Sequence, residues 1–329
     1  METQTQVTPE PIFQLASGFM ASKLFFAANE AGVFEALSGG PKTVDAIAGD
    51  CGRPAWTVGI LADAMVALHM LEREDGLYRN GAIADTFLAG KTPADLRPFL
   101  RFWNTISYPR WQYLDECVSS ASAAKGDFTM TPEQQRIFSE GVAAVTAGAA
   151  MALAATYDFS GRTKVLDLGG GTGFFLAMIL ERYTGLRGTL YEEPDVVEIA
   201  KRHLGSFGDR IDFVSGNFMS DELPGGHDVI LAANVVHYFS PQGNQQLLKR
   251  LRETAAPDAA LLMVDFWMNA EHTEPVAAAL MSGEFLVNLG DGKSYSVDEA
   301  REWCDVTGWR VVKHVGLAGP QSLVVMQPA

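Results

Sequence analysis

Apolar positions recur at helical spacing over the first hundred residues. From Ile12 to Leu37 they include Phe13, Leu15, Phe19, Leu24, Phe25 and Phe34, which predicts one long helix. Gly39-Gly40-Pro41 ends it. Thr43 is suited to cap a short helix with Val44, Ile47 and Ala48 on one side. Gly52 gives a turn, and a longer helix is expected from about Pro54 to Leu68. Leu71 to Tyr78 reads as a β-hairpin turning at Asp75-Gly76. Helix, turn, helix and hairpin together predict a winged helix. Residues 100–157 read as helical and aromatic, with Trp103, Trp111 and Phe138 among them. The uncharged run from Gly141 to Tyr157 is short for a membrane span and rich in Ala, Thr and Gly, so a helix buried against protein is expected there.

From Lys164 the pattern changes. Short apolar runs at Lys164–Leu168, Gly188–Glu192, Ile211–Ser215, Asp228–Ala232 and Ala260–Phe266 read as strands. Helical stretches at Phe174–Tyr183, Pro194–Leu204 and Gln242–Ala256 separate them. A last helix, about Val297 to Thr307, precedes strands near Trp309–Val315 and Ser322–Met326. Alternation of this kind predicts an α/β fold with a parallel, doubly wound sheet. The last two strands share only a short Gly-Pro link, so they should pair as a hairpin and place one antiparallel strand in the sheet. The expected domains are a winged helix over 1–100, linking helices over 101–160 and the α/β domain over 161–329.

Composition narrows the function. The formal net charge of −15 disfavours nucleic acid and anionic membranes. Residues 1–100 carry 7 Lys and Arg against 12 Asp and Glu, and the second helix of the winged helix holds Asp63 with no basic residue. A DNA reader needs phosphate neutralisation, so the winged helix is expected to serve assembly rather than a ligand-responsive DNA-binding regulator. Cys51, Cys117 and Cys304 are scattered and form no metal or disulfide pattern. The polar METQTQVTPE start lacks the features of a signal peptide, and a cytoplasmic location is expected.

The strongest chemical motif is Val165-Leu166-Asp167-Leu168-Gly169-Gly170-Gly171-Thr172-Gly173, a strand running through glycines into a helix. Gly169, Gly171 and Gly173 let the backbone turn tightly and let a ligand lie against it, at the strand mouth where such sheets bind ligands. A dinucleotide fingerprint would need a small residue where this chain has Phe174. Asp167 suits a ligand bearing a positive amino group, which S-adenosyl-L-methionine (SAM) has. Glu192, 23 residues after Gly169, is placed to accept hydrogen bonds from ribose hydroxyls, although this alone does not separate SAM from NAD. Asn217 and Phe218 end the third strand and suit adenine by hydrogen bond and ring contact; Ala233, just after the fourth, is a further cofactor-binding candidate. His237 follows the fourth strand, where an imidazole can take a proton near neutral pH. Asp265, at the end of the fifth, is either its orienting partner or a solvated strand-end acid.

These motifs resemble the small-molecule O-methyltransferases with an N-terminal winged-helix dimerisation domain, among them plant caffeate enzymes and bacterial tailoring enzymes. The likeness runs from about Phe13 to Met326 and rests on the Asp-Leu-Gly-Gly-Gly-Thr-Gly run, Glu192 with Pro194 and Val196, Gly216-Asn217-Phe218, and His237. It implies a Rossmann-like class I methyltransferase sheet, SAM as cofactor, S-adenosyl-L-homocysteine as product and a homodimer. It further implies His237 as general base and Glu192 as the ribose acid. The chain departs from the family at Asn217, where Asp is frequent, at Tyr238-Phe239, where Asp-Trp is usual, at Asp265, where plant members have Glu, and at Ser294, where a later Glu is expected. The reading is therefore methyl transfer to a hydroxyl oxygen of an aromatic or polyketide-like small molecule, with no metal, nucleic-acid or membrane partner. The alternatives are C- or N-methylation by proximity, or a SAM-binding relative with non-methyl chemistry. Trp103, Trp111, Phe138, Met281, Phe285 and Asn288 are expected either to line the substrate pocket or to pack as core.

Overall fold

The computed structural model describes residues 7–124 and 130–329. It divides into two compact units, one built on the chain up to Tyr108 together with Thr131–Val145, the other on Pro109–Met130 and Thr146–Ala329. The segment 101–160, expected to act as a linker, is thus shared between them.

In the first unit, α1 (Glu10–Ala31) stops at Gly32, whose φ of +82° only glycine adopts cheaply, and α2 (Val33–Ala36) follows. The single helix expected from the apolar spacing is therefore broken in two, because periodicity alone does not register a left-handed C-cap. α3 (Val44–Cys51) is capped by Thr43, whose Oγ1 accepts the Ala46 N–H at 3.3 Å. α4 (Ala55–Ala67) leads to β1 (Leu71–Glu74) and β2 (Leu77–Asn80), paired antiparallel with Leu71 opposite Asn80. Asp75 and Gly76 both have positive φ, as a tight two-residue hairpin requires. α5 (Ala82–Phe87), α6 (Arg97–Phe102) and a π-helical turn at Trp103–Ser107 complete the run. Phe34, Ile47, Val58, Ala62, Met65 and Tyr78 form the core, each apolar side chain contributing about 1.5–3 kcal/mol on burial. The first half of α1 lies outside it: Ile12, Phe13, Leu15, Phe19 and Met20 are exposed.

α7 (Tyr108–Trp111), α8 (Leu114–Ser120) and α9 (Pro132–Thr156) follow. Among the described residues α9 is the one helix long and apolar enough to cross a membrane. Its C-terminal part is instead core, with Ala149, Ala150, Leu153 and Ala154 buried. The second unit carries β3 (Lys164–Leu168), α10 (Phe174–Arg182), β4 (Arg187–Glu192), α11 (Pro194–Leu204), β5 (Ile211–Ser215), β6 (Val229–Ala233), α12 (Pro241–Thr254), β7 (Ala260–Asp265), α13 (Val276–Leu289), α14 (Val297–Asp305), β8 (Trp309–Gly316) and β9 (Ser322–Pro328). The seven strands run in the order β5-β4-β3-β6-β7-β9-β8. β9 is antiparallel to both neighbours and the other pairings are parallel.

Side chains alternate across this sheet with period two. Val165, Leu190, Val229, Leu231 and Leu262 face α9, α10 and α11, while Leu166, Leu168, Ile230, Leu261 and Met263 face α12 and α14. Both faces are covered, which explains the nearly continuous apolar strands. The strand order reverses at the β3–β6 pair, with β4 and β5 added on one side of β3 and β6 and β7 on the other, so the loops after these two parallel strands diverge and open a crevice at their C-terminal ends. α13 was not expected from the pattern.

Candidate active site

The loop after β3 is bare backbone. Gly169, Gly171 and Gly173 have φ of +65°, +58° and +79°, and Gly173 caps α10. A Cβ on Gly170 would stand 2.5 Å from an Asp167 carboxylate oxygen, whereas nothing lies within 4 Å of one on Gly171. The loop therefore covers Asp167 closely on one side and leaves open space on the other. Asp167 is fully buried; among the described residues its carboxylate oxygens have no side-chain partner, and only the Leu176 backbone N–H acts on them to favour the charged form. Burial, and then the charge of Glu192, push its pKa up to about 7. A buried carboxylate without a side-chain partner is costly and suits a cationic group. Glu192 ends β4, next in the sheet, with Oε2 accepting the Glu193 N–H at 2.6 Å; burial raises its pKa too.

Asn217 follows β5. Its Oδ1 accepts the Met219 N–H and its own N–H donates to Asp221, each at 2.9 Å. The side-chain oxygen thus closes a local turn, leaving the amide N–H groups for an outside ligand. The Phe218 ring comes within 3.4 Å of where a Gly169 Cβ would be, and it meets Phe239 edge-on at 6.0 Å. Ala233 ends β6, buried. A buried acid for an amino group, a second acid on the next strand and an aromatic ring beside bare backbone together match the parts of SAM.

The turn after β6 is held from several sides. Asn234 has φ +58°, its N–H donates to the Val264 carbonyl at 2.8 Å, and Gln321 donates to its side-chain oxygen. The buried Asn244 of α12 donates to the carbonyls of Val236 at 3.0 Å and Phe239 at 3.3 Å, and the Tyr295 hydroxyl donates to Phe239 O at 2.5 Å. A 3₁₀ turn at Val236–Tyr238 results, and it presents His237. The imidazole is 6% exposed. Its Nδ1 lies 2.9 and 3.0 Å from the two carboxylate oxygens of Asp265. Asp265 also accepts the Phe266 N–H at 2.8 Å. A carboxylate accepts, so Nδ1 carries a proton towards Asp265, while Nε2 makes no hydrogen bond among the described residues. Phe285 lies parallel on the imidazole, 3.9 Å between centroids and 6° between planes, with Tyr238 stacked at 4.7 Å. Asp265 is thus the imidazole's partner and not a solvated acid.

The remaining expected residues fall into two groups. Trp103 and Phe138 belong to the first unit and both meet Phe102 edge-on, at 5.8 and 5.5 Å. Trp111, Met281, Phe285 and Asn288 belong to the second, where the last three share one side of α13. Ser294 is buried; its hydroxyl donates to the Ala278 carbonyl and its N–H to Ser282 Oγ. It packs against the first half of α13 and supplies no second acid. The pattern gave no warning of Glu284. This buried acid accepts the Trp111 indole N–H at 2.5 Å and the Asn288 amide at 2.8 Å. Its one signal is that it stands alone in the apolar stretch 276–289.

Two family models match the chain: an O-methyltransferase domain over residues 120–310 and an O-methyltransferase dimerisation domain over 13–90. A similar protein, the 3-hydroxy-5-methyl-1-naphthoate 3-O-methyltransferase of Streptomyces sahachiroi, is 30% identical over 320 residues, 95% of this chain and 92% of that one. Among solved structures, human N-acetylserotonin methyltransferase in complex with SAM superposes with a TM-score of 0.90 at 25% identity, covering 100% of both chains. The mitomycin 7-O-methyltransferase gives 0.84 at 28% identity, with 97% of each covered. With the catalytic model spanning more than half of its length, the chain belongs to the O-methyltransferase family and is a SAM-dependent methyltransferase.

Proposed function

We propose that this enzyme methylates a phenolic hydroxyl of an aromatic or polyketide-like small molecule, with His237 as general base and Asp265 as its positioning group. The observation that carries the reading is the buried pair itself: Nδ1 of His237 is committed to Asp265, and Nε2 is left free beside the mouth of the sheet. Asp167, the Gly169–Gly173 loop, Glu192, Phe218 and the amide N–H groups of Asn217 would hold the cofactor, with Ala233 lining its edge. When bound, SAM supplies an electrophilic methyl on a sulfonium and leaves as S-adenosyl-L-homocysteine. His237 Nε2 takes the proton of the acceptor hydroxyl as the oxygen gains its methyl. Asp265 fixes the tautomer and balances the charge that the imidazolium acquires. Phe285 and Tyr238 stack against the ring and restrain it from swinging away. Orientation of the two reactants contributes the larger share of the acceleration.

The naphthoate and mitomycin relatives, by their names, methylate oxygens of cyclic metabolites, which supports an acceptor of that class. The first unit serves assembly in this reading: the exposed apolar half of α1 suits a second copy of the chain. A mass-spectrometric screen of phenols, naphthols and hydroxynaphthoates with SAM tests the function. The expected outcome is at least one O-methylated product with matching release of S-adenosyl-L-homocysteine. Methylation at carbon or nitrogen alone would overturn the role of a hydroxyl oxygen.

A further inference from the structure

The chain crosses from β5 to β6 without a helix. β3, β4 and β6 are followed by α10, α11 and α12, whereas the described residues 216–228 carry none. This stretch opens with Gly216-Asn217-Phe218, the residues read above as facing the cofactor's adenine. Its first turn is closed from within. The Asn217 carbonyl accepts the N–H groups of Ser220 at 3.0 Å and Asp221 at 2.8 Å, and the Asp221 carboxylate takes the Asn217 N–H. These bonds fix the shape of the turn but not its place on the sheet. A loop without a helix of its own opens more readily than the elements around it.

The placement comes from α12. Arg250, half-buried on that helix, donates from Nε to the Phe218 carbonyl at 3.1 Å and from Nη2 to the Asp221 carbonyl. The planar guanidinium grips the turn at two main-chain points, and its fork sets both distance and angle. Phe218 carries the ring that comes within 3.4 Å of where a Gly169 Cβ would be and meets Phe239 edge-on. The same helix holds the Phe239 carbonyl through Asn244. One rigid element thus ties down both the aromatic wall of the cofactor site and the turn that carries His237.

We propose that Arg250 is a positioning residue for adenine recognition: by fixing the Phe218 and Asp221 carbonyls it sets the Phe218 ring and the Asn217 amide N–H groups against the purine. The proposal rests on the reading above in which Asn217 and Phe218 hold the cofactor. Loss of the guanidinium should lower discrimination between purines as well as affinity. A displaced amide no longer meets the ring nitrogen that accepts from it, and a site that hydrogen-bonds its ligand discriminates only while its polar groups stay in place.

The test is calorimetry on the full chain with S-adenosyl-L-homocysteine and S-inosyl-L-homocysteine. The inosyl compound carries a proton on the six-membered-ring nitrogen that accepts in adenine. The wild type should prefer the adenosyl compound by about tenfold or more, the worth of one good hydrogen bond. Arg250→Met should weaken the adenosyl compound about tenfold and the inosyl compound less than about threefold, so that the preference contracts. Arg250→Lys, which lacks the fork, should fall between them and gives the same reading if the methionine variant does not fold. Adenosyl affinity within about twofold of wild type, or equal weakening of both compounds, would overturn the inference. Phe218→Ala separates the two levels. If it weakens binding while Arg250→Met does not, this proposal alone fails. If it leaves binding unchanged, the adenine reading beneath it fails. No preference in the wild type would overturn both, since the turn would then read nothing for Arg250 to position.

Discussion

Asp167 has no cationic partner among the described residues in a fully buried setting, and burial has pushed its pKa up to about 7. The sign of the linkage follows. A raised carboxyl pKa means the folded chain disfavours the charged form, so this group costs stability increasingly as pH rises from the unfolded value of about 4 towards 7. A cationic ligand reverses the preference. SAM affinity should therefore rise with pH up to about 7 and level off above it, with protons released on binding below that point. Calorimetry between about pH 5 and 9 in buffers of different ionisation enthalpy reads both effects. Asp167→Asn should weaken SAM binding and remove most of the pH dependence; Glu192, raised in the same direction by burial, accounts for any remainder. A wild-type affinity independent of pH would contradict this role. At this scale Asp167 and Glu192 were legible in the sequence, since a strand that ends in glycines fixes where its last acid stands. The pairing of His237 with Asp265 was legible only as one of two options. It depends on the register of β6 against β7, Ala233 opposite Val264, which no local pattern encodes.

The elements matter through how they hold the His237 turn. Asn244 reaches it from α12, Tyr295 from the stretch before α14, and the loop after α13 presses against it at Gly292. A Cβ on Gly292 would collide with the His237 carbonyl, a backbone atom with little freedom to move. Gly292→Ala should thus displace the turn. The expected result is a loss of about 1–3 kcal/mol in denaturant unfolding and a fall in kcat of about tenfold, with SAM affinity nearly unchanged. A fully active, fully stable variant would show that the contact is not a constraint. The strands and amphipathic helices around this turn were readable because each has a period and, in most cases, a turn residue at its ends. α13 was not. Its apolar residues are spread around the helix, so it gives only a weak helical period, and Gly283 within it lowers its helix propensity. Only the placement of Met281, Phe285 and Asn288 three and four residues apart pointed there. Glu284 was invisible because its partner Trp111 lies far away in sequence.

For the whole molecule, the sequence made the division of labour plain: a helical module with an acidic balance, then an alternating α/β sheet. Residues 101–160, expected as linking helices, are instead divided between the units, and α9 runs through both as one helix. The exposed Ile12, Phe13, Leu15 and Phe19 of α1 call for a partner surface. Light scattering at low micromolar concentration should give about twice the chain mass of 35.6 kDa. Paired Phe13→Glu and Phe19→Glu substitutions should shift the enzyme towards monomer. A wild type that stays monomeric would refute the assembly.

The central claim is that His237, held by Asp265, removes the acceptor's proton. The most direct measurement is kcat against pH, from about 6 to 9, for wild type, His237→Ala and Asp265→Asn with the best acceptor from the phenol screen. His237→Ala should lose about 100-fold or more in kcat with SAM affinity nearly unchanged, and its residual rate should climb with pH as the free phenol ionises unaided. Asp265→Asn should fall between the two. A loss below about threefold in both variants, with the wild-type pH profile retained, would make His237 a wall of the pocket and contradict the account.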